Sequence, residues 1–228
     1  MIAESWTTVF GNSAFAREKN LKNTVEDAYI WADWTGGYKS GSDSMKRKNA
    51  KEILAESFQE LAREKKIDKI TVKEIADNCG YSTVTFYRQF KDKYDLIAWD
   101  YARQAARLME QVGQNGYKWQ QTLSDGLLYY QEQKEYLANL LRHTSGHESF
   151  IRYMSEAHYN ALTAYVKNLT GAAQLDKKTD MYIYMFCLGT ACLNCEWILG
   201  KIDATKEEIA EVLEKSVPEP LWEYLIKE

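Results

Sequence analysis

Residues 82–93 contain several side chains of the kinds that contact nucleic acids in DNA-binding proteins. Thr83, Val84 and Thr85 follow Ser82 and are small: a threonine hydroxyl can hydrogen-bond a base edge, and a methyl group can contact the methyl of thymine. Other groups nearby can reach phosphate oxygens, and such contacts fix register rather than sequence. These candidates are Lys73, Tyr87, Arg88, Gln89 and Lys93.

Two short helices separated by a tight turn must position these groups. Thr71 with Glu74 fits a capping box that begins one helix, and Gly80 is typical of the residue just past its end. Ser82 is a preferred cap for a second helix over Thr83–Phe90. The pattern predicts a helix-turn-helix, in which the first helix braces the second against the major groove. Thr71 joins the candidate DNA contacts, because a helix N-terminus favours phosphate. A helical bundle that merely contains a tight turn is the alternative.

The rest of the chain also predicts helices. From Lys48, apolar residues recur at three- and four-residue steps, as on one face of a helix. The chain has only 2 Pro and shows neither an alternating strand pattern nor an internal repeat. We therefore expect an all-α fold, with an N-terminal three-helix DNA-binding domain followed by a larger helical bundle. The bundle helices are expected at about 93–114, 118–132, 134–143, 148–169, 177–200, 205–215 and 219–226.

Charge divides the chain into three segments. Residues 45–98 carry 12 basic and 9 acidic side chains, net +3, which predicts the DNA-binding domain. Residues 1–44 carry 4 and 6, net −2, and residues 99–228 carry 13 and 18, net −5. Residues 36–44 are rich in Gly and Ser, as in a flexible linker, so residues 1–44 are interpreted as an N-terminal extension. Either Met45 is the biological start or the extension is an accessory arm.

Several function classes find no support. No window is apolar over the length of a membrane span, and the N-terminus lacks the pattern of a signal peptide, so we expect a cytoplasmic protein. The chain shows no nucleophile elbow, no phosphate-cradling glycine loop and no paired metal-ligand motif. We therefore expect neither an enzyme nor a cofactor.

Two pairs of residues could in principle bind a metal. Cys192 and Cys195 form a Cys-x-x-Cys that could also act in redox chemistry, but they lie mid-helix, where buried Cys usually serves as a small hydrophobe. His143 and His147 are four residues apart, but Gly146 between them indicates a turn. The sequence therefore predicts no metal site.

The region after residue 98 is rich in aromatic side chains, which could line an effector pocket or form the core and a dimer interface. One helical stripe favours an interface: Met181, Met185, Leu188, Cys192, Cys195 and Leu199. The other candidates do not decide between the two roles, so no effector-binding residue can be chosen. They are Trp99, Trp119, Tyr129, Tyr130, Tyr136, Phe150, Tyr153, Tyr159, Tyr182, Tyr184 and Phe186.

Residues 70–96 resemble the DNA-binding domain of tetracycline-repressor-type regulators. That family's pattern is matched at every anchor: Thr71, Ile75, Ala76, Gly80, Ser82, Phe86, Tyr87, Phe90, Lys93 and Leu96. The resemblance implies a homodimer on a palindromic operator, with a helical domain for dimerisation and ligand binding. It implies that Thr83, Val84 and Thr85 face bases, and that Thr71, Tyr87 and Lys93 touch the DNA backbone. The family often has Gly where Val84 stands, which puts a close backbone approach there in doubt.

The continuation over residues 94–99 resembles the branch that includes the activator of dihydroxyacetone-kinase operons, as do Trp119, Tyr129, Phe150 and Tyr153. That branch implies control by a partner protein instead of a small molecule. We therefore predict a DNA-binding transcription regulator controlled by an effector or a partner, with repressor and activator both open. The alternative is a helical protein–protein adaptor with weak DNA binding, which a shallow salt dependence would indicate.

Overall fold

The computed structural model describes residues 48–146 and 149–226, and within these ranges the chain is helical and has no β-strand. The predicted all-α fold is confirmed, while the predicted extension over residues 1–44 lies outside the described residues. Short 3-10 turns at Ile67–Lys69 and Glu219–Leu221 accompany the α-helices. These are α1 (Ala50–Glu64), α2 (Val72–Asn78), α3 (Thr83–Gln89), α4 (Lys93–Met109), α5 (Trp119–Glu132), α6 (Lys134–His143), α7 (Phe150–Thr170), α8 (Lys177–Ile198), α9 (Lys206–Lys215) and α10 (Trp222–Leu225).

Helix α4 ends earlier than the sequence predicts. The expected helix runs to residue 114, but α4 stops at Met109 and the chain then turns. Gly113, Asn115 and Gly116 have positive φ values of 80°, 51° and 78°. A right-handed helix cannot continue through such residues, and glycine and asparagine adopt this conformation at least cost. The turn brings the chain back to begin α5 at Trp119.

Helices α1, α2 and α3 form the head of the molecule. Asn49 and Thr71 begin α1 and α2 with capping boxes, and the Ser82 hydroxyl accepts the Thr85 amide at the start of α3. The head core is built from side chains with at most 1% exposure: Leu54, Phe58, Ile67, Ile70, Ile75 and Phe86. Burial of each such side chain contributes about 1.5–3 kcal/mol. This core fixes α3 against α1 and α2.

Helices α4 to α10 form the body. Helix α7 packs against both α4 and α8, and α9 packs against α5. The body core contains large side chains with at most 1% exposure, among them Leu127, Leu137, Leu140, Phe150, Met154 and Ile183. No helix in the described ranges is both long enough and apolar enough to cross a membrane.

Buried polar contacts join α1 of the head to α4. Asp100 is 2% exposed, and its carboxylate accepts hydrogen bonds from Gln59 Nε2 at 2.6 Å and from Arg103 Nη2 at 2.9 Å. Arg103 Nη1 also donates to Glu52 at 2.8 Å. These groups are largely shielded from water, so removal of one ionic partner would leave the other charge buried and uncompensated.

Asn139 of α6 makes a second connection between body and head. Its Nδ2 donates to the carbonyl oxygens of Ala62 and Lys65, each at 2.7 Å, and its Oδ1 accepts the Ile67 amide at 3.4 Å. The side chain thus pairs backbone groups that the end of α1 leaves without helical partners. The described residues from Lys48 onward form one compact unit. The division at residues 98 and 99 into a DNA-binding and a body domain therefore stays a prediction.

Replacement of Asn139 tests this connection. We expect Asn139→Ala to lower the free energy of unfolding by about 1–3 kcal/mol, because it leaves partly buried carbonyl groups without donors. Asn168→Ala, on the exposed surface of α7, is the matched control and should change stability by less than about 0.5 kcal/mol. Urea unfolding followed by circular dichroism measures both. Equal stability of the two variants would show that water replaces Asn139.

Candidate nucleic-acid interface

Helix α3 has an inward and an outward face. Phe86 and Phe90 are 0% and 3% exposed and pack into the head, whereas Val84 and Tyr87 are each 60% exposed. Thr83 and Thr85 lie between these extremes and are half-buried. Arg88 is exposed and Gln89 is half-buried. The structure therefore brings together the six candidate contacts that fall on α3 and separates the exposed ones from the core.

The start of α3 is held by Ser82. Its hydroxyl oxygen accepts the Thr85 amide at 3.1 Å and lies 3.1 Å from the Thr85 hydroxyl oxygen. One hydroxyl proton serves this pair, and the other can be donated elsewhere. Ser82 thus keeps the Thr85 side chain oriented at the first turn of α3, where a recognition helix meets base edges.

The surface around α3 favours an anion. Between Asp77 and Asp92 the chain has no acidic residue, while it carries Arg88 and Lys91, both exposed. The head is therefore basic at the helix that would contact DNA, although the whole chain has a net charge of −4. A local cationic surface of this kind binds phosphate through long-range attraction and counterion release.

Two candidate contacts on α2 already have acidic neighbours. Lys73 pairs with Asp77 one helical turn away, and this hydrogen bond raises the pKa of Lys73. The Thr71 hydroxyl lies 2.9 Å from the carboxylate of Glu74. A hydrogen bond from Lys65 is the largest of the interactions that lower the pKa of Glu74 to about 2. A phosphate near α2 would compete with these carboxylates.

Lys93 has an internal role that the sequence analysis missed. Its ammonium group lies 2.8 Å from the carbonyl oxygens of Ile67 and Ile70 and 3.2 Å from that of Asp68. An ammonium group has three N–H donors, so these carbonyls can occupy all of them. The contacts tie the first turn of α4 to the 67–69 turn. A phosphate contact by Lys93 stays a prediction, and it would require at least one carbonyl to be released.

An apolar surface lies on α8. Met181 and Met185 are 60% and 68% exposed, and Tyr182 and Tyr184 are also exposed. Large apolar side chains clustered on a protein surface mark an interaction site more often than scattered ones do. The stripe predicted from the sequence is only partly on this face, because Cys195 is buried and contacts Met154. We call Met181, Tyr182, Tyr184 and Met185 the α8 patch.

The described cysteines and histidines do not form a metal site or a reactive thiol pair. Burial raises the pKa of Cys195 and raises that of Cys187 to about 12, so the reactive thiolate forms are disfavoured. His143 lies 3.9 Å from Asp68, and His147 is outside the described residues. Within the described part of the chain, no three His, Cys, Asp or Glu side chains are grouped so that they could hold a metal ion.

A cavity of about 100 Å³ lies within the body, between α4, α5, α7, α8 and α9. Beside it, the Tyr101 hydroxyl of α4 lies 2.6 Å from the Tyr130 hydroxyl and 2.8 Å from His158 Nε2. The aromatic candidates thus divide between several roles. Trp119, Tyr129, Tyr130 and Phe186 line the cavity. The others of that set lie in the remaining core or on the surface.

A helix-turn-helix head joined to an all-α body defines a class of DNA-binding transcription regulators. Residues 58–98 match the family model for bacterial regulatory proteins of the tetR family, and residues 117–218 match a model for the C-terminal region of transcriptional regulators. The chain belongs to the tetR family of regulators. The predicted family is thereby confirmed, and the assignment points to a transcription factor and not to an enzyme.

Solved structures of regulators have a similar fold. DhaS, described as the dihydroxyacetone kinase operon activator, is 17% identical, with 73% of this chain and 95% of that chain covered and a TM-score of 0.53. A TetR regulator from Rhodococcus sp. RHA1 is 16% identical, with 75% and 96% covered and a TM-score of 0.52. The repressor AlkX from Dietzia sp. strain DQ12-45-1b, implicated in biodegradation of n-alkanes, is 12% identical, with 80% and 100% covered and a TM-score of 0.50. At these identities the likeness shows the fold alone. No curated protein matches the sequence.

The internal role of Lys93 can be tested without DNA. We expect Lys93→Met to lower the free energy of unfolding by about 1.5–3 kcal/mol, the usual range for hydrogen bonds to a charged group. Lys91→Met removes the same charge from an exposed neighbour and should have little effect. Thermal and urea unfolding of the full chain measure both variants. If Lys93→Met were as stable as the wild type, the carbonyl contacts would not contribute to the fold.

Proposed function

We propose that the protein is a sequence-specific, homodimeric transcription regulator that binds a palindromic operator and is controlled through its body. The observation that carries the proposal is the outward face of α3, which is exposed, free of acidic residues and fixed by a helix-turn-helix. In this proposal Thr83, Val84 and Thr85 meet base edges. Contacts with phosphate come from Thr71, Lys73, Ser82, Tyr87, Arg88, Gln89 and Lys93.

Val84 supports direct contact with DNA. It projects from the first turn of α3 with 60% of its surface exposed. Packing within the head therefore does not explain why a valine stands at this position. A valine there can contact the methyl group of thymine, which gives a preference for A·T pairs at the facing position. The extra carbons, compared with a glycine, also keep the α3 backbone farther from the groove floor.

The α8 patch supports a homodimer. A palindromic site presents two half-sites about 34–36 Å apart, which a two-fold symmetric dimer can contact with one α3 helix each. Symmetric association buries the same surface on both copies, and an apolar patch is suited to that role because it complements itself. Helix α8 also packs directly on α7, so the two helices offer a rigid platform.

Control of DNA binding would pass through α4. Asp100 connects α4 to α1 of the head, and the next residue, Tyr101, connects α4 to Tyr130 and His158 of the body. A ligand or partner that shifts the body contacts therefore also shifts the helix that carries the head. In a dimer, a change in the tilt of α4 changes the spacing of the two α3 helices and favours or disfavours the operator.

DNA recognition can be tested by selection of bound sequences from a random library with the full chain at two salt concentrations. We expect a palindrome to be enriched. Arg88→Ala and Tyr87→Ala should weaken binding to all sequences similarly, and loss of a phosphate contact by Arg88→Ala should reduce the slope of log K against log salt by about 1. Thr85→Ala should instead change base preference at one position, by about 1–3 kcal/mol.

Lys201→Ala is the matched control for Arg88→Ala, because it removes one exposed positive charge from the body. It should leave the salt slope unchanged. Equal slopes for the two variants would show that Arg88 does not contact phosphate. Enrichment of no sequence by the wild type, together with a shallow salt dependence, would favour the adaptor function over the regulator.

The dimer can be tested with Met185→Glu. A buried, unpaired carboxylate is costly, so this change at the most exposed residue of the α8 patch should convert dimer to monomer. Leu128→Glu introduces the same charge at an exposed leucine of α5 and should leave the dimer intact. Sedimentation equilibrium measures the association constant of each variant. A Met185→Glu protein that remained dimeric would place the interface elsewhere.

A further inference from the structure

The cavity in the body contains an unusual concentration of unsatisfied polar groups. Seven buried side-chain nitrogen or oxygen atoms in the described part of the chain make no hydrogen bond, and five of them belong to residues that line this cavity. The five are Trp119 Nε1, Thr122 Oγ1, His158 Nδ1, Thr190 Oγ1 and Asn194 Oδ1. Of these, the Thr122 hydroxyl has a nearby side-chain partner, the Tyr117 hydroxyl. Buried polar groups are nearly always paired, so such a cluster calls for an explanation.

The burial of these groups makes accidental placement unfavourable. Asn194, Trp119 and Thr122 are 2%, 6% and 8% exposed. An apolar residue of similar shape would fit each position without the desolvation penalty of an unpaired polar atom. The remaining lining is mainly apolar and includes Leu108, Leu127 and Phe186. Apolar walls with a few convergent polar groups are the usual chemistry of a small-molecule site.

The hydrogen-bonding direction of two of these groups is fixed. Burial raises the pKa of Tyr101 and of Tyr130, so both phenols keep their protons. Their hydroxyls lie 2.8 and 3.2 Å from His158 Nε2 and 2.6 Å from each other. Burial also lowers the pKa of His158 to about 4, so the ring is neutral near pH 7 and one of its two nitrogens carries the proton. Trp119 Nε1 can only donate and Asn194 Oδ1 can only accept, whereas His158 Nδ1 takes either role according to its tautomer.

Charge and size restrict the ligand further. None of the described residues that line the cavity is Asp, Glu, Lys or Arg. An anion or cation would lose its hydration there without a counter-charge, at a large cost. The pocket is only partly enclosed, and its volume of about 100 Å³ suits a small molecule, compared with the roughly 150 Å³ of a closed apolar cavity that binds benzene.

We infer that this cavity binds a compact, uncharged organic molecule that offers both an acceptor and a donor, of the class of short-chain alcohols, hydroxy-ketones and amides. The inference rests on the proposed function in that the molecule acts as the effector. It accepts from Trp119 and donates toward Asn194, and it also hydrogen-bonds His158 Nδ1 and the Thr190 hydroxyl, while its carbon chain contacts the apolar walls. Because His158 also binds Tyr101 of α4, the ligand changes the contacts that position the head.

Isobutyramide and isobutyrate form a matched pair of probes. They share one carbon skeleton and the same number of non-hydrogen atoms, but the first is uncharged and the second is an anion at neutral pH. We expect isobutyramide to shift the indole N–H resonance of Trp119 in a saturable manner, with the resonance assigned by its loss in Trp119→Phe. Isobutyrate should cause no saturable shift of that resonance. Equal binding of the two probes would overturn the inference. So would the absence of a saturable shift with isobutyramide, sec-butanol or hydroxyacetone at concentrations up to about 100 mM, which is near the weak limit for ligands of this size.

Variants separate a binding role from a structural role. Thr190→Val removes one unpaired hydroxyl from the cavity wall and should weaken isobutyramide binding by about tenfold, the effect of losing one hydrogen bond. Its melting temperature should be equal to or higher than that of the wild type, because the hydroxyl has no partner in the protein. Thr163→Val is the control, since the Thr163 hydroxyl is also unpaired and buried but does not line the cavity. Equal affinities of both variants and the wild type would contradict the assignment.

The same protein preparation distinguishes this inference from the proposed function. Operator selection is measured without the probes, and probe binding is measured without DNA. Saturable binding of isobutyramide with no enriched operator would support the site and reject the regulator function. An enriched operator with no probe binding would retain the regulator and reject this class of effector, which leaves control to a different ligand or to a partner protein.

Discussion

Asp100 places a carboxylate in the interior where α1 crosses α4, and the arrangement of the head on the body depends on it. The charge is tolerated because Arg103 and Gln59 hydrogen-bond both of its oxygens. If Arg103 moved away, an uncompensated buried charge would remain, at a cost of about 3–5 kcal/mol. If Gln59 moved away, a buried carboxylate oxygen would lose its donor, at a cost of about 1–3 kcal/mol. The crossing of α1 and α4 therefore has one strongly preferred geometry. A head held in this way moves with α4 instead of swinging freely.

The same helix is engaged on its other side by the body. Tyr101 follows Asp100 directly, and adjacent helical residues point about 100° apart, so one reaches the head junction while the other reaches the cavity. Asn139 of α6, a helix that does not line the cavity, also hydrogen-bonds the end of α1. In the proposed regulation, displacement of Tyr101 would move α4 while Asn139 holds the end of α1. Control would then act through two neighbouring side chains, Asp100 and Tyr101, that have different partners.

The sequence predicted the local structure well, because the relevant signals are local. The caps at Thr71 and Ser82 act within three residues, and in the structure a helix begins directly after each of them. The separation of Phe86 from Val84 follows from helical periodicity alone. Other features depend on residues far apart in the sequence. The contact of Lys93 with Ile67 spans 26 positions, and no pattern within either segment indicates it.

The cavity was beyond sequence analysis for the same reason. Trp119, His158 and Asn194 lie on three helices, and each is an ordinary residue in its own segment. Their significance comes from a shared lack of partners, which only the assembled fold reveals. Unpaired polar groups on several helices suit a regulator, because an effector must bind one arrangement of the body more tightly than another. Polar groups that the folded chain leaves unpaired supply that difference: a ligand gains hydrogen bonds only in the arrangement where these groups converge. In the proposed regulator, ligand binding would then affect the head through α4, with no contact between the two sites.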